Sequence, residues 1–172
     1  GSMAATSVVP TLSPSMDIQI PSNFERLLFE MCQRDGSKVK NTLAEFRRSG
    51  ELTILPAELT EIQKKWSSAR IDDDRTLRTI AEIYKETGEL VDPHTAVGIA
   101  AGKEKRSSEQ IPLVCLGTAH PGKFPEAVIK ATGKKPELPN QFHDLYERTE
   151  HYSVLPNDYD IVKSHIEKAV QG

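Results

Sequence analysis

Residues 113–124 read Leu113-Val114-Cys115-Leu116-Gly117-Thr118-Ala119-His120-Pro121-Gly122-Lys123-Phe124, an apolar run followed by a polar turn and the start of a helical pattern. The apolar run from Pro112 to Leu116 is typical of a buried strand, and Gly117 ends it. Open α/β sheets bind their ligands at the carboxyl ends of the strands. The stretch therefore predicts a strand whose carboxyl end presents Thr118 and His120 to a ligand. Both side chains could equally serve only to bond loop backbone groups.

Helical patterns precede and follow this stretch, and they are marked by capping residues and terminal glycines. The predicted helices run from Ser22 to Gly36, from Val39 to Gly50, from Pro56 to Trp66, from Asp74 to Tyr84, from Asp92 to Ala101, from Phe124 to Ala131, near Asn140 to Arg148, and from Asn157 to Val170. Strands are few by comparison. The sequence therefore predicts a helix-rich α/β fold with a few parallel strands.

Composition excludes several classes of function. The chain has 172 residues and a net charge of −3, with acidic and basic residues interspersed, so nothing in it predicts binding to nucleic acid or to an anionic membrane surface. No apolar run has the length of a transmembrane helix. Cys32 and Cys115 lie in apolar contexts, which favours a reducing, cytoplasmic location. Residues 1–7 look like a tag or linker, and residues 8–172 are expected to form the folded part.

Two further segments lie upstream of the Thr-Ala-His-Pro-Gly-Lys-Phe run. They read Ser-Pro-Ser-Met-Asp-Ile from residue 13, continuing to Ser-Asn-Phe-Glu-Arg at 22–26, and Asp-Pro-His-Thr-Ala-Val at 92–97. In these three segments and in their order, the chain resembles the C-terminal part of threonine synthase of the longer bacterial and fungal type. The resemblance covers roughly residues 9–170. It implies a fragment of a fold-type II enzyme that uses pyridoxal 5′-phosphate to convert O-phosphohomoserine and water into threonine and phosphate.

The resemblance also implies which residues form the site and the sheet. The parallel strands would belong to a sheet like that of the tryptophan synthase β subunit. The implied cofactor-binding residues are Thr118, Asp92, His120 and Asp17, and the implied substrate-binding residues are Asn23, Arg26, His94 and Thr95. Thr118 is expected to donate a hydrogen bond to the pyridine nitrogen of the cofactor, as a neutral partner that moderates the ring as an electron sink.

No catalytic residue is assigned within this chain. In the family, the lysine that forms the Schiff base and the glycine-rich phosphate loop lie N-terminal to the matched motifs. The ten glycines here are scattered, and most of them follow helical patterns. An isolated chain of this sequence is therefore expected to be inactive.

Other interpretations of the same residues remain open. Asp92 could act only as a helix cap, and Arg26 could lie on a solvent-facing helix surface. His94, His120, Asp92 and Cys115 lack the short spacings of a zinc site, so no metal is predicted. A Cys115–His120 nucleophile and base pair is disfavoured, because a thiol inside an apolar strand resists ionisation.

A rival hypothesis is a stand-alone binding or regulatory module that has kept the scaffold of the lyase without its chemistry. Under the main hypothesis the partner is a small-molecule substrate. Apolar residues of the predicted sheet region, including Val97, Ile99, Val114 and Leu116, would be partly uncovered in a fragment. We therefore expect possible self-association through an exposed sheet edge.

Overall fold

The computed structural model describes residues 1–171 and divides the chain into two compact units, residues 1–136 and residues 137–172. The first unit holds two short strands and six helices: β1 (Ser2–Ala4), α1 (Phe24–Met31), α2 (Gly36–Ser49), β2 (Glu51–Thr53), α3 (Pro56–Gln63), α4 (Asp73–Thr87), α5 (Pro93–Lys105) and α6 (Pro125–Thr132). The second unit holds two 3-10 turns and α7 (Tyr159–Gln171).

One hydrophobic core lies among α1, α2 and β2. Asp35 caps α2 by accepting a hydrogen bond from the amide of Lys38 at 3.0 Å. Gly50 ends α2 in the left-handed conformation at φ 75°, which a glycine adopts without steric cost. The buried members of this core are Leu28, Val39, Leu43, Phe46 and Leu52. Val39, Leu43 and Phe46 recur at helical spacing, so they share the face of α2 that this core buries.

A second packed region consists of α4, α5 and α6, with α4 contacting both of the others. Its buried apolar side chains are Ile80, Ala96, Ala100, Ala127 and Val128. The buried hydroxyls of Thr76 and Thr79 donate to the carbonyls of Asp72 and Arg75, each at 2.8 Å, so neither polar group is left unsatisfied. The small residues of α5 allow close packing, and its N-terminus carries the segment that begins at Asp92.

The parallel strands predicted from the sequence are not found among residues 1–171. The sheet formed within residues 1–171 has two strands, β1 and β2, and they are antiparallel. The segment from Pro112 to Gly117 is assigned to no strand, and Val114 and Leu116 are 80% and 78% exposed. Extended backbone becomes a β-strand only when a neighbouring strand pairs with its N–H and C=O groups. No strand in the described part of the chain provides that pairing.

Two other expectations change in detail. The helix predicted near residues 140–148 is instead a pair of 3-10 turns, Asn140–Phe142 and Leu145–Glu147. Residues 2–4, which lie inside the segment predicted as a tag or linker, form β1 and pair with β2. The predicted boundary between residues 7 and 8 stays a prediction. Among residues 1–171, no helix is long and apolar enough to cross a membrane.

Candidate functional site

Asp92 is the N-cap of α5 and is completely buried. Its Oδ1 accepts hydrogen bonds from the backbone N–H and from Nδ1 of His94, each at 2.9 Å. Its Oδ2 accepts from the backbone N–H of Thr95 at 3.3 Å and from the Thr95 hydroxyl. The carboxylate therefore caps the helix and also orders two side chains of its first turn.

Thr118 lies beside this cap, although 23 residues separate it from Thr95 along the sequence. Its backbone N–H donates to Thr95 Oγ1 at 3.0 Å, and the two hydroxyl oxygens are 3.2 Å apart. Thr118 is exposed, whereas Thr95 and Asp92 are buried behind it. The structure thus brings three of the predicted site residues into one hydroxyl chain, Asp92–Thr95–Thr118, that runs from a buried carboxylate to the surface.

His94 connects the cap to the loop at residues 11–17. Its Nδ1 contacts Asp92, and its Nε2 accepts a hydrogen bond from the backbone N–H of Ser15 at 3.2 Å. The imidazole also packs on Phe124, with ring centroids 4.6 Å apart and an interplanar angle of 55°. Both ring nitrogens are therefore engaged inside the chain, and His94 is 5% exposed. This ring positions the loop against α5.

Asp17 lies within the same loop and organises it. Its two carboxylate oxygens accept from the N–H and the hydroxyl of Thr11, each at 2.8 Å. A second aspartate, Asp73, accepts from the N–H of Leu12 at 3.0 Å and ties the loop to the start of α4. The loop predicted to border the cofactor is therefore held by Asp73 and His94, one contact to each of two helices.

His120 begins the short 3-10 turn Pro121–Lys123, and its Nδ1 accepts from the N–H of Gly122 at 3.1 Å. It is exposed and lies two residues beyond Thr118. The thiol of Cys115 is free and half-buried. Across residues 1–171 there is no group of three or more His, Cys, Asp or Glu side chains arranged to hold a metal ion.

Asn23 and Arg26 are not hydrogen-bonded to the hydroxyl chain within the described residues. Asn23 occupies the N-cap position of α1 but makes no side-chain cap bond there. Arg26 is exposed and lines an open cavity of about 610 Å³ between α1 and α2, together with Lys40 and Arg47. The predicted substrate residues therefore lie in two places: Asn23 and Arg26 at the start of α1, and His94 and Thr95 at the start of α5.

Sequence reasoning assigned no role to Ser15, Asp73 or Phe124, although Ser15 and Phe124 lie within the matched segments. Ser15 acts through its backbone N–H, for which no side-chain pattern exists. Asp73 directly precedes the helix predicted from Asp74, and the sequence carries no sign that its carboxylate reaches back to Leu12. Phe124 was predicted to begin the helix that runs to Ala131, and its contact with His94 joins segments 30 residues apart.

Comparison with known proteins shows what this chain is similar to. The family described as "Threonine synthase, C-terminal" matches residues 95–166, a range that includes Thr95 and Thr118. Threonine synthase of Pseudomonas aeruginosa is 49% identical over 91% of this chain and 34% of its own length. The chain matches the C-terminal part of threonine synthase.

Solved structures agree with that assignment. The crystal structure of PLP-bound threonine synthase from Brucella melitensis is 41% identical, with a TM-score of 0.83, over 100% of this chain and 37% of that one. Threonine synthase from yeast is 29% identical, with a TM-score of 0.78, over 99% of this chain and 38% of that one. The sequence resemblance to threonine synthase is confirmed.

The chain spans about a third of the length of the curated threonine synthases that it matches. The matching threonine synthases come from both bacteria and fungi. The one from Schizosaccharomyces pombe is 36% identical over 94% of this chain and 35% of its own length. A stand-alone binding or regulatory module is not favoured by these relatives.

Proposed function

We propose that this chain is the C-terminal part of an enzyme that converts O-phosphohomoserine and water into threonine and phosphate with pyridoxal 5′-phosphate. The observation that carries the proposal is the hydroxyl chain Asp92–Thr95–Thr118, found in a chain that is similar along its whole length to a PLP-bound threonine synthase. The cofactor, when bound, would supply an electron sink for negative charge that develops on the substrate carbons.

The residues at this site fit such a cofactor. A pyridine nitrogen needs one hydrogen-bonding partner, and the exposed Thr118 hydroxyl is a neutral partner held at a fixed place by Thr95. Thr95 in turn is held by the buried carboxylate of Asp92. Thr118 would therefore bind the ring nitrogen, while Asp92 and Thr95 keep Thr118 in position.

The remaining predicted cofactor residues, Asp17 and His120, would lie around the Thr118 hydroxyl. Asp17 would hold the loop at residues 11–17 in the shape that borders the ring, because both of its oxygens bond to Thr11. His120 would lie near the site as the first residue of the turn that follows Thr118, with its Nδ1 occupied by Gly122. Both roles are structural, because the proposal assigns no proton transfer to the Asp17 carboxylate or to the His120 imidazole.

The substrate proposals have different physical supports. Arg26 is cationic and exposed, so its guanidinium could pair with the phosphate of O-phosphohomoserine, and the Asn23 amide makes no cap bond that would compete with a ligand. His94 and Thr95 stay predictions as substrate ligands. Their polar atoms already bond to Asp92, Ser15 and Thr118.

We further propose that the lysine that binds the cofactor covalently, and the glycine-rich phosphate loop, belong to a part of the enzyme outside these 172 residues. The chain alone would then neither hold the cofactor covalently nor release phosphate from the substrate. A cytoplasmic location is also proposed, supported by the free thiols of Cys32 and Cys115.

Self-association of the isolated chain is a related proposal. The amides from Leu113 to Gly117 form no backbone hydrogen bonds within the described residues, and the side chains of Val114 and Leu116 are mostly exposed. A second copy could pair with this segment and cover both. In the complete enzyme, the same segment would pair with a strand of the larger sheet.

The test of the proposed function uses the complete enzyme that contains this chain. Thr118→Val removes the hydroxyl at nearly constant volume, and Thr118→Ser is the matched control that keeps it. We expect kcat/KM for phosphate release to fall by roughly 5- to 150-fold in the valine variant, which corresponds to about 1–3 kcal/mol for one lost hydrogen bond, and to stay near wild type in the serine variant. Unchanged turnover in the valine variant, or phosphate release by the isolated chain, would contradict the proposal.

A further inference from the structure

Residues 106–118 connect the end of α5 to Thr118, and they contact α5 again on the way. We propose that Arg106 and Gly102 are positioning residues for Thr118, because they fix the place at which this segment returns to the N-terminus of α5. The inference deepens the proposed function and rests on it in one respect, which is that the ligand at Thr118 is the cofactor. Both residues act through the segment, so neither is assigned a contact with the ligand.

Arg106 is the C-cap of α5, and its guanidinium holds the turn that follows the helix. Its backbone N–H donates to the carbonyl of Gly102 at 2.9 Å. Its Nε donates to the carbonyl of Ser108 at 3.1 Å, and its Nη2 donates to the carbonyls of Glu109 and Ile111 at 3.0 and 2.8 Å. A guanidinium has several N–H groups in one plane, so a single side chain holds three carbonyls in a set arrangement. The turn is therefore fixed to the end of the helix.

Gly102 allows Leu113 to lie directly on α5. A Cβ atom added at Gly102 would lie 3.2 Å from each of the two methyl carbons of Leu113 and 3.6 Å from its Cγ. Carbon atoms in favourable contact lie about 3.5–4.0 Å apart, so a methyl group at this position would displace the branched end of Leu113. The lack of a side chain at Gly102 therefore sets how closely the segment approaches the helix.

Thr95 provides the last contact, and it lies on the same face of α5 as Gly102. The backbone N–H of Thr118 donates to Thr95 Oγ1 at 3.0 Å, a bond in which only the amide can be the donor. Thr95 and Gly102 are seven residues apart, which is nearly two turns of an α-helix. The segment thus returns along one face of α5, with Leu113 beside Gly102 and Thr118 beside Thr95.

These contacts matter because pairing with a larger sheet would not by itself fix the position of Thr118. Hydrogen bonds in a parallel pair of strands are evenly spaced, so a strand that slips by two residues finds equivalent partners and keeps the same faces. Such a slip would move Thr118 by about 6.6 Å, which is twice the rise per residue of a parallel strand. The contacts of Arg106 and Gly102 exist in one register only, so they oppose the slip.

Amide hydrogen exchange at Thr118, measured in the complete enzyme without cofactor, tests the contribution of Arg106. The amide is protected while it is bonded to Thr95, and it exchanges when the segment moves away. Arg106→Lys keeps the charge but replaces the planar fork by a single nitrogen. We expect exchange at Thr118 to become faster by roughly 3- to 10-fold, as for the loss of about one net hydrogen bond, while the amides of α4 exchange as before.

Arg78→Lys is the matched control for this substitution. The Arg78 side chain is exposed on α4 and makes no hydrogen bond or ion pair within residues 1–171. The same chemical change at this position should leave exchange at Thr118 unchanged.

Gly102→Ala tests the second contact, and Leu113→Ala is the substitution that should rescue it. Each alone should speed exchange at Thr118, because the first displaces the Leu113 side chain and the second removes it. In the double variant the added methyl group no longer meets the Leu113 methyl carbons, so exchange should be slower than in Gly102→Ala alone. Two unconnected structural defects would instead add their effects.

Titration of the apoenzyme with pyridoxal 5′-phosphate then connects this placement to the ligand. We expect a higher Kd in Arg106→Lys and in Gly102→Ala, a partial return in the double variant with Leu113→Ala, and the parent value in Arg78→Lys. Unchanged cofactor affinity despite faster exchange at Thr118 would overturn the inference.

The exchange data decide the inference without any cofactor. If Arg106→Lys or Gly102→Ala leaves exchange at Thr118 unchanged, that residue does not position it. A double variant that exchanges faster than both single variants would contradict the contact between Gly102 and Leu113. An apoenzyme that takes up no cofactor contradicts the proposed function, whereas the exchange measurement still shows whether Arg106 and Gly102 hold Thr118 in place.

Discussion

Two aspartates in this chain cap helices in very different surroundings, and comparing them tests how much Asp92 contributes to the fold. Asp72 is exposed at the start of α4 and accepts one cap bond, from the N–H of Arg75 at 2.8 Å. Asp92 is fully buried at the start of α5 and accepts four hydrogen bonds. The change to alanine at each position is therefore a matched pair.

The expected costs differ because of what each substitution leaves behind. Asp72→Ala removes a single cap at the surface, and water can replace the lost acceptor, so the free energy of unfolding should fall by about 1 kcal/mol. Asp92→Ala removes a cap worth a similar amount and also leaves the His94 Nδ1 donor and the Thr95 hydroxyl without an acceptor in a buried place. Each buried donor that loses its partner costs about 1–3 kcal/mol, so a total loss of about 3–7 kcal/mol is expected.

Urea denaturation of the chain, followed by circular dichroism, measures both variants against the parent. Asp92→Asn serves as the control, since asparagine caps as well as aspartate and keeps one acceptor oxygen for His94. Its loss should be smaller than that of Asp92→Ala. If Asp92→Ala costs no more than Asp72→Ala, the hydrogen bonds of Asp92 do not carry the energetic role argued for them.

Two further outcomes are expected. Ile80→Ala leaves a cavity at a fully buried position on α4 and should lower the free energy of unfolding by about 2–5 kcal/mol. Ile129→Ala, at a position that is 42% exposed, should lower it clearly less. Equal losses in urea denaturation would contradict the packing described for α4 and α6. Light scattering of the isolated chain should give an average mass that rises with protein concentration. The double variant Val114→Asp with Leu116→Asp should be monomeric, because these side chains are 80% and 78% exposed. A concentration-independent monomer that binds no hydrophobic dye would exclude self-association through this segment.

Features governed by neighbours in the sequence were predictable. The start of α5 was marked by Asp92, and the end of α2 was marked by Gly50, which takes a positive φ. Capping depends on side chains within three residues of the helix end, so the linear sequence contains all the information it needs. The family followed from three short segments in order, and the comparisons confirmed it.

The segment at 112–116 shows the opposite case. Its apolar, β-branched pattern indicated a strand, yet a strand exists only with a partner, and the residues described here supply none beside it. Propensity states what a segment can become, while pairing across space decides whether it does. The helix predicted near 140–148 also differs, since that segment forms two 3-10 turns instead.

By itself, the sequence predicted that Asp92, Thr95 and Thr118 contribute to one site, because each lies in a short motif that can be read locally. Only the tertiary structure decided that the three form a single hydrogen-bonded chain, that His94 holds Ser15 across 79 residues, and that Asp73 reaches Leu12 across 61. The physical reason is that a hydrogen bond has a donor and an acceptor whose roles depend on every other bond each atom makes. These donor and acceptor roles are fixed only when the folded chain has brought all the partners together.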